Sequence, residues 1–175
     1  TSPQVAIEKV NKPTGFRNLP LPTAPVGTVT ANQKVVDDSF EILVDGKLAK
    51  GFGPAFGNAV KDGAYKMDLG QEQPVAAITS WSYNEGGRRG AQKISIYGSN
   101  ASSDPGWELT QYTKLGTIDT GLASTQYTAA SLRAPLEKSL GSFRWILWTP
   151  SLISDLGGGE NTAFQEFSVE LGANQ

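Results

Sequence analysis

The chain has 175 residues, 38% hydrophobic and 18% charged, which suits one folded domain with a proper core rather than a disordered segment. Net charge is −2 with acids and bases interspersed, so no basic stripe marks the chain for nucleic acid. Cysteine and histidine are both absent, which removes disulfides, thiolate or histidine metal sites, cysteine nucleophiles and the Ser-His-Asp triad.

Residues 1–30 read as a leader. Pro13, Pro20, Pro22 and Pro25 fix φ and remove donors, so no helix or central strand is expected there. The leader is either an extended segment strapped on the surface or a linker that tethers the domain to a neighbour. Residues 31–175 form the folded unit, with a short helix expected over 32–40. Residues 64–69 alternate, with Tyr65, Met67 and Leu69 on one face, and Gly70 ends the run. Pro74 opens a second strand over 75–83, and Asn84-Glu85-Gly86-Gly87 is a turn signal. A strand over 91–97 follows, then a polar loop over 98–106 carrying Asp104-Pro105-Gly106. Shorter strands are predicted over 114–118 and 125–132. A strongly apolar strand spans 142–149, with Trp145 and Trp148 on opposite faces. A glycine-rich loop at 157–159 precedes the last alternating strand, 163–171. The longest apolar run, Trp145-Ile146-Leu147-Trp148, is far too short to cross a bilayer. This order of strands and turns predicts an all-β antiparallel sandwich with jelly-roll topology.

Three places could carry chemistry. Asp45-Gly46 is either a plain turn or the start of a calcium loop, with carbonyls supplied by Leu43, Leu48 and Lys50. Glu166 is either a solvent-facing strand residue or a second carboxylate of the same site. The stretch Trp81, Tyr83, Asn84, Glu85, Arg88 combines rings, which stack on the C–H faces of sugars, with groups that hydrogen-bond hydroxyl edges. Against that, Trp81 sits in strand phase and reads equally as core. Trp107, in the polar loop, is a second candidate platform. Asn100-Ala101-Ser102 is a glycosylation sequon by spelling only. Asp37, Asp38 and Glu85 offer carboxylates, but nothing places them across a cleft, so no enzyme is expected.

Several stretches together resemble the galactose-binding-like β-sandwich superfamily, which includes discoidin (coagulation factor 5/8 type C) domains and family 32 type carbohydrate-binding modules. They are Leu43-Val44-Asp45-Gly46, Tyr65-Lys66-Met67-Asp68-Leu69-Gly70, Val75 to Trp81, Arg88 to Ser99, Phe143-Arg144-Trp145-Ile146 and Phe164 to Val169. The resemblance implies a structural calcium ion held by Asp45 and Glu166. It also implies a non-catalytic glycan-binding or adhesive module of an exported bacterial protein, placed in the periplasm, outside the cell or on its surface. The alternative on the same fold is a structural or protein–protein interaction domain without a glycan site. Lys47 and Lys50 depart from the family pattern and set positive charge against a cation.

Overall fold

In the computed structural model, the described residues are 8–14, 27–37, 39–44, 53–57, 60, 62–83, 92–119, 127–152 and 164–173. They contain ten strands: β1 Glu8–Thr14, β2 Thr28–Ala31, β3 Val35–Asp37, β4 Pro54–Phe56, β5 Tyr65–Tyr83, β6 Gln92–Ser99, β7 Thr113–Asp119, β8 Tyr127–Arg133, β9 Ser142–Leu152 and β10 Phe164–Leu171. Two 3-10 turns, Phe40–Val44 and Leu109–Gln111, complete the regular structure. Among the described residues no helix is long and apolar enough to cross a membrane.

All pairings are antiparallel, and they build two layers around one shared strand. The first half of β5 lies between β2 and β9, and that layer runs β2-β5-β9-β6-β7. The second half of β5 lies between β8 and β10, and that layer runs β1-β8-β5-β10. The sequence predicts two strands here, broken at Gly70 and Pro74. The structure joins them. Gly70 takes φ +84°, a left-handed conformation open to glycine, and the β5–β9 register shifts between Asp68 and Gln73. Pro74 lacks an N–H, but it stands where β5 leaves one layer for the other. Its carbonyl accepts from Gly172 N–H at 2.8 Å, and Val75 exchanges backbone bonds with Gly141 and Leu140. The break signals therefore mark a change of layer.

The β-branched pair Val35-Val36 belongs to β3, paired with β4, so the helix expected over 32–40 is absent from the described part of that stretch. The helical turn comes later, at Phe40–Val44. Glu8–Thr14, inside the proline-rich leader, is an edge strand that pairs only with β8 among the described strands. An edge is where a strand containing Pro13 can sit.

Alternation decides what is buried. Tyr65, Met67 and Leu69 face the interior with Ile94, Ile96, Ile146 and Trp148 from one layer. Ile78, Ala130, Leu132, Phe167 and Val169 face it from the other. Trp148 stacks on Phe167 at 3.8 Å between centroids and 4° between planes, and lies 5.4 Å from Tyr65. Those rings tie the layers across the core, where truncating a Trp or Phe to Ala costs about 3–5 kcal/mol.

Candidate functional site

A connected cluster of charged and aromatic side chains lies outside the core, on the outer face of the β2-β5-β9-β6-β7 layer. Alternation sends Lys66 and Asp68 outward from β5 and Trp145 outward from β9, with Asp68 and Trp145 in register. The loop between β6 and β7 folds back over them. Its Asp104 carboxylate accepts from Gly106 N–H at 2.9 Å, an Asx-type turn completed by Gly106 at φ +76°. That turn aims the Gly106 carbonyl at Tyr112 Oη, 2.7 Å away, and at Lys66 Nζ, 3.3 Å away.

Lys66 is the centre of this cluster. Its side chain is 2% exposed, yet it carries an ammonium group. Nζ donates to Asp104 Oδ1 at 2.5 Å and to the Gly106 carbonyl. It also lies 4.0 Å from the centroid of the Trp107 ring and 5.8 Å from that of Trp145. Cation–π contact and two acceptors together compensate the lost hydration. Arg144 grips the two oxygens of Asp68 through Nε at 3.0 Å and Nη2 at 3.1 Å, and Nη1 reaches the Ser102 carbonyl. Trp145 Nε1 donates to the Ala101 carbonyl at 2.8 Å. Asn100 spends its amide on the Ser142 carbonyl and the Arg144 N–H. The sequon asparagine is thus a staple between loop and sheet.

The titrations follow from these contacts. The hydrogen bond from Arg144 leads in holding the Asp68 carboxyl below its usual range, against partial desolvation. Desolvation pushes Asp104 up, but the Lys66 and Gly106 bonds outweigh it and leave that carboxyl low as well. Desolvation, then the charge of Asp104, pushes the Tyr112 phenol up to about 12. The arrangement is a satisfied brace, and one face of Trp107 is taken by an ammonium.

The strand registers divide the predicted site residues between the two ends of the sandwich. Ser99 pairs with Trp145 and Pro74 with Ser142, so the Trp107 loop sits at the end where β5 changes layer. Tyr83 pairs with Tyr127, Ser82 with Phe164, and Gln92 with Leu152, which marks the opposite end. Tyr83 belongs there, while Asn84, Glu85 and Arg88 lie outside the described residues. Trp107 and Tyr83 therefore do not share a platform. Trp81 is 2% exposed, so its ring presents no open face.

Of the expected calcium ligands, Leu43 is fully buried in the Phe40–Val44 turn. Asp45, Leu48 and Lys50 lie outside the described residues. Glu166 is placed by its backbone on β10, in register with Trp81, and β10 packs against the turn that precedes Asp45. Among the described residues no group of acidic side chains is gathered to hold a metal. Sequence reasoning missed the Lys66, Asp68, Asp104, Arg144 network. Its only signal was alternation, which put two charged residues on one outer face.

No family model matches the sequence, and no curated protein matches it. Solved structures share the antiparallel β-sandwich fold. One is the chitosan-binding module 2 of a chitosanase/glucanase from Paenibacillus sp. IK-5, in complex with chitotriose, at 14% identity and TM-score 0.54, covering 83% of this chain and 97% of that one. Another is the family 89 glycoside hydrolase from Clostridium perfringens, at 16% identity and TM-score 0.55, covering 86% of this chain but 14% of that one. A third is a chain in the structure of reduced XRCC1 bound to the DNA polymerase β catalytic domain, at 8% identity and TM-score 0.58, covering 85% of this chain and 98% of that one.

Proposed function

We propose that this chain is a non-catalytic carbohydrate-binding module of an exported protein. The observation that carries the reading is the match in extent as well as fold to a chitosan-binding module, of which this chain spans almost the whole length. The ligand end is the one reached by Tyr83, with Asn84, Glu85 and Arg88 as the polar and stacking groups. A structural calcium ion belongs to the same reading. Asp45 and Glu166 would supply its carboxylates, with carbonyls from Leu43, Leu48 and Lys50, and the ion would fix the loop after the Phe40–Val44 turn.

A glycan array followed by titration tests the first part. Wild type is expected to bind at least one glycan at millimolar concentration or better. Arg88→Ala and Tyr83→Ala each lose tenfold or more, about 1.4 kcal/mol, while Trp107→Ala binds as wild type does at a temperature where it is folded. Absence of any glycan ligand sinks the reading. For the metal, excess calcium is expected to raise the melting temperature relative to chelator, because a ligand bound only by the folded state stabilises it by mass action. An unchanged midpoint in wild type would remove the ion.

A second reading has its own support. The same fold, over 85% of this chain, occurs in a chain of the XRCC1 complex with a polymerase domain, which supports a protein-interaction reading of this fold. On that reading the array is blank and a protein ligand is recovered instead.

A further inference from the structure

The loop between β6 and β7 covers two sheet residues without burying any of its own. Lys66 and Trp145 point away from the core, yet they are only 2% and 6% exposed. The described contacts that cover them come from the loop. Trp107 lies over the Lys66 ammonium, Asp104 and the Gly106 carbonyl accept from it, and the Ala101 carbonyl accepts from Trp145 Nε1. Residues 100–112 themselves include no buried residue, and Leu109 is 40% exposed. A segment held in place with so little apolar burial belongs to the low end of the local stability range.

The loop is also bonded to itself. The Gly106 N–H donates to Asp104, and Tyr112 Oη donates to the Gly106 carbonyl. In the Leu109–Gln111 turn the Gln111 N–H donates to the Glu108 carbonyl at 3.0 Å, and the Tyr112 N–H donates to the Leu109 carbonyl at 3.1 Å. At the root, β6 and β7 pair as far as Gly98 and Thr113, so lifting the loop leaves their ladder whole. Asn100 sits at that root and holds the Ser142 carbonyl and the Arg144 N–H. The described bonds that lifting breaks are those of Lys66 to Asp104 and Gly106, of Arg144 to Ser102 and of Trp145 to Ala101. All are polar, and water can replace each of them once the loop is up.

We propose that residues 101–112 are a lid that lifts from the sheet as one unit, hinged at Asn100 and Thr113, and bares Lys66 and Trp145 together while both layers stay folded. The closed form hides an ammonium group beside an indole ring. The open form presents the two side by side on one face of the sheet, whatever the opposite end of the sandwich binds.

Native-state hydrogen exchange and lysine acylation on the intact chain test this. The Trp145 indole N–H reports the lid, because its acceptor is the Ala101 carbonyl, and the β5 amides report the sheet. Relative to unfolded-chain rates, the indole N–H is expected to exchange about a hundredfold faster than the β5 amides, or more. Its opening should barely respond to low urea, since lifting exposes little surface, whereas the β5 amides follow the slope of global unfolding. Acylation of Lys66, divided by its rate in the urea-unfolded chain, should give the same opening constant within about threefold. Trp107→Ala takes the ring off the ammonium and should raise both rates about tenfold. Tyr112→Phe, which frees the Gly106 carbonyl, takes its place if the Trp107 variant does not fold. Three results would each overturn the lid: an indole N–H with the urea slope of β5, Lys66 and Trp145 opening with different constants, or an indole rate that the folded variant leaves unmoved.

Discussion

A charged residue at 2% exposure usually signals a partner, and Lys66 has four: a carboxylate, a carbonyl and two indole rings. The distribution of burial within the pair matters. Asp104 keeps 57% of its side chain in water, so removal of the lysine strands no buried anion. Lys66→Met is therefore expected to change stability by less than about 1 kcal/mol, because the thioether refills the space between the indoles. Lys66→Ala opens a gap there and should cost about 2–3 kcal/mol by urea denaturation. Equal losses in the two variants would mean that the charge itself holds the loop.

The two carboxylates of the brace also set an acid limit. Both have folded pKa values below the ordinary range, so their contribution is complete above the unfolded carboxylate pKa of about 4. It is lost as pH falls through the folded values. Stability should be flat from neutral pH down to about 4 and should drop below it. Asp68→Asn should flatten that limb and lower the neutral plateau. Tyr112 works in the other direction. Its phenol is raised to about 12 in the folded state, so stability held below the unfolded value of about 10 is lost as pH climbs through 10 to 12. Tyr112→Phe should remove part of that alkaline loss in a pH series of melting temperatures.

At the scale of elements, β5 shows what sequence could and could not tell. Alternation over 64–69 correctly placed the core-facing residues Tyr65, Met67 and Leu69. Gly70 and Pro74 were legible as interruptions, but a single chain carries no mark that distinguishes a strand end from a strand that changes layer. That distinction depends on Gly141, Gly172 and Ser142, which pair there from far along the chain. Gly70 has nothing within 4 Å of where a Cβ would stand, so Gly70→Ala meets only backbone strain, about 1–2 kcal/mol. Asn there should cost less, since its side chain tolerates the left-handed region. The candidate site was less legible than the fold. The Lys66–Asp104 contact joins residues brought together by β5–β9–β6 pairing, and no local pattern announces such a meeting. The Asp104-Pro105-Gly106 turn was readable, but its target was not.

At the scale of the molecule, the two ends do different work. One end holds the braced β6–β7 loop. The other gathers the strand ends at Tyr83, Tyr127 and Phe164, the end to which the proposed function assigns glycan recognition. A soluble glycan that binds one end should leave the amide resonances of the other unmoved. Shifts at both ends with a single midpoint would contradict the division.

The sharing of β5 between layers has a consequence for how the domain comes apart. In a sandwich of two separate sheets, one sheet can open by its own fluctuations while the other keeps its ladder. Here any opening that frees residues 75–83 from β8 and β10 pulls on the strand that centres the opposite ladder. Amide protons of β5 on both sides of Gly70 should therefore exchange with one common free energy, close to that of global unfolding. The edge strands β1 and β7 should exchange first, and independently of each other.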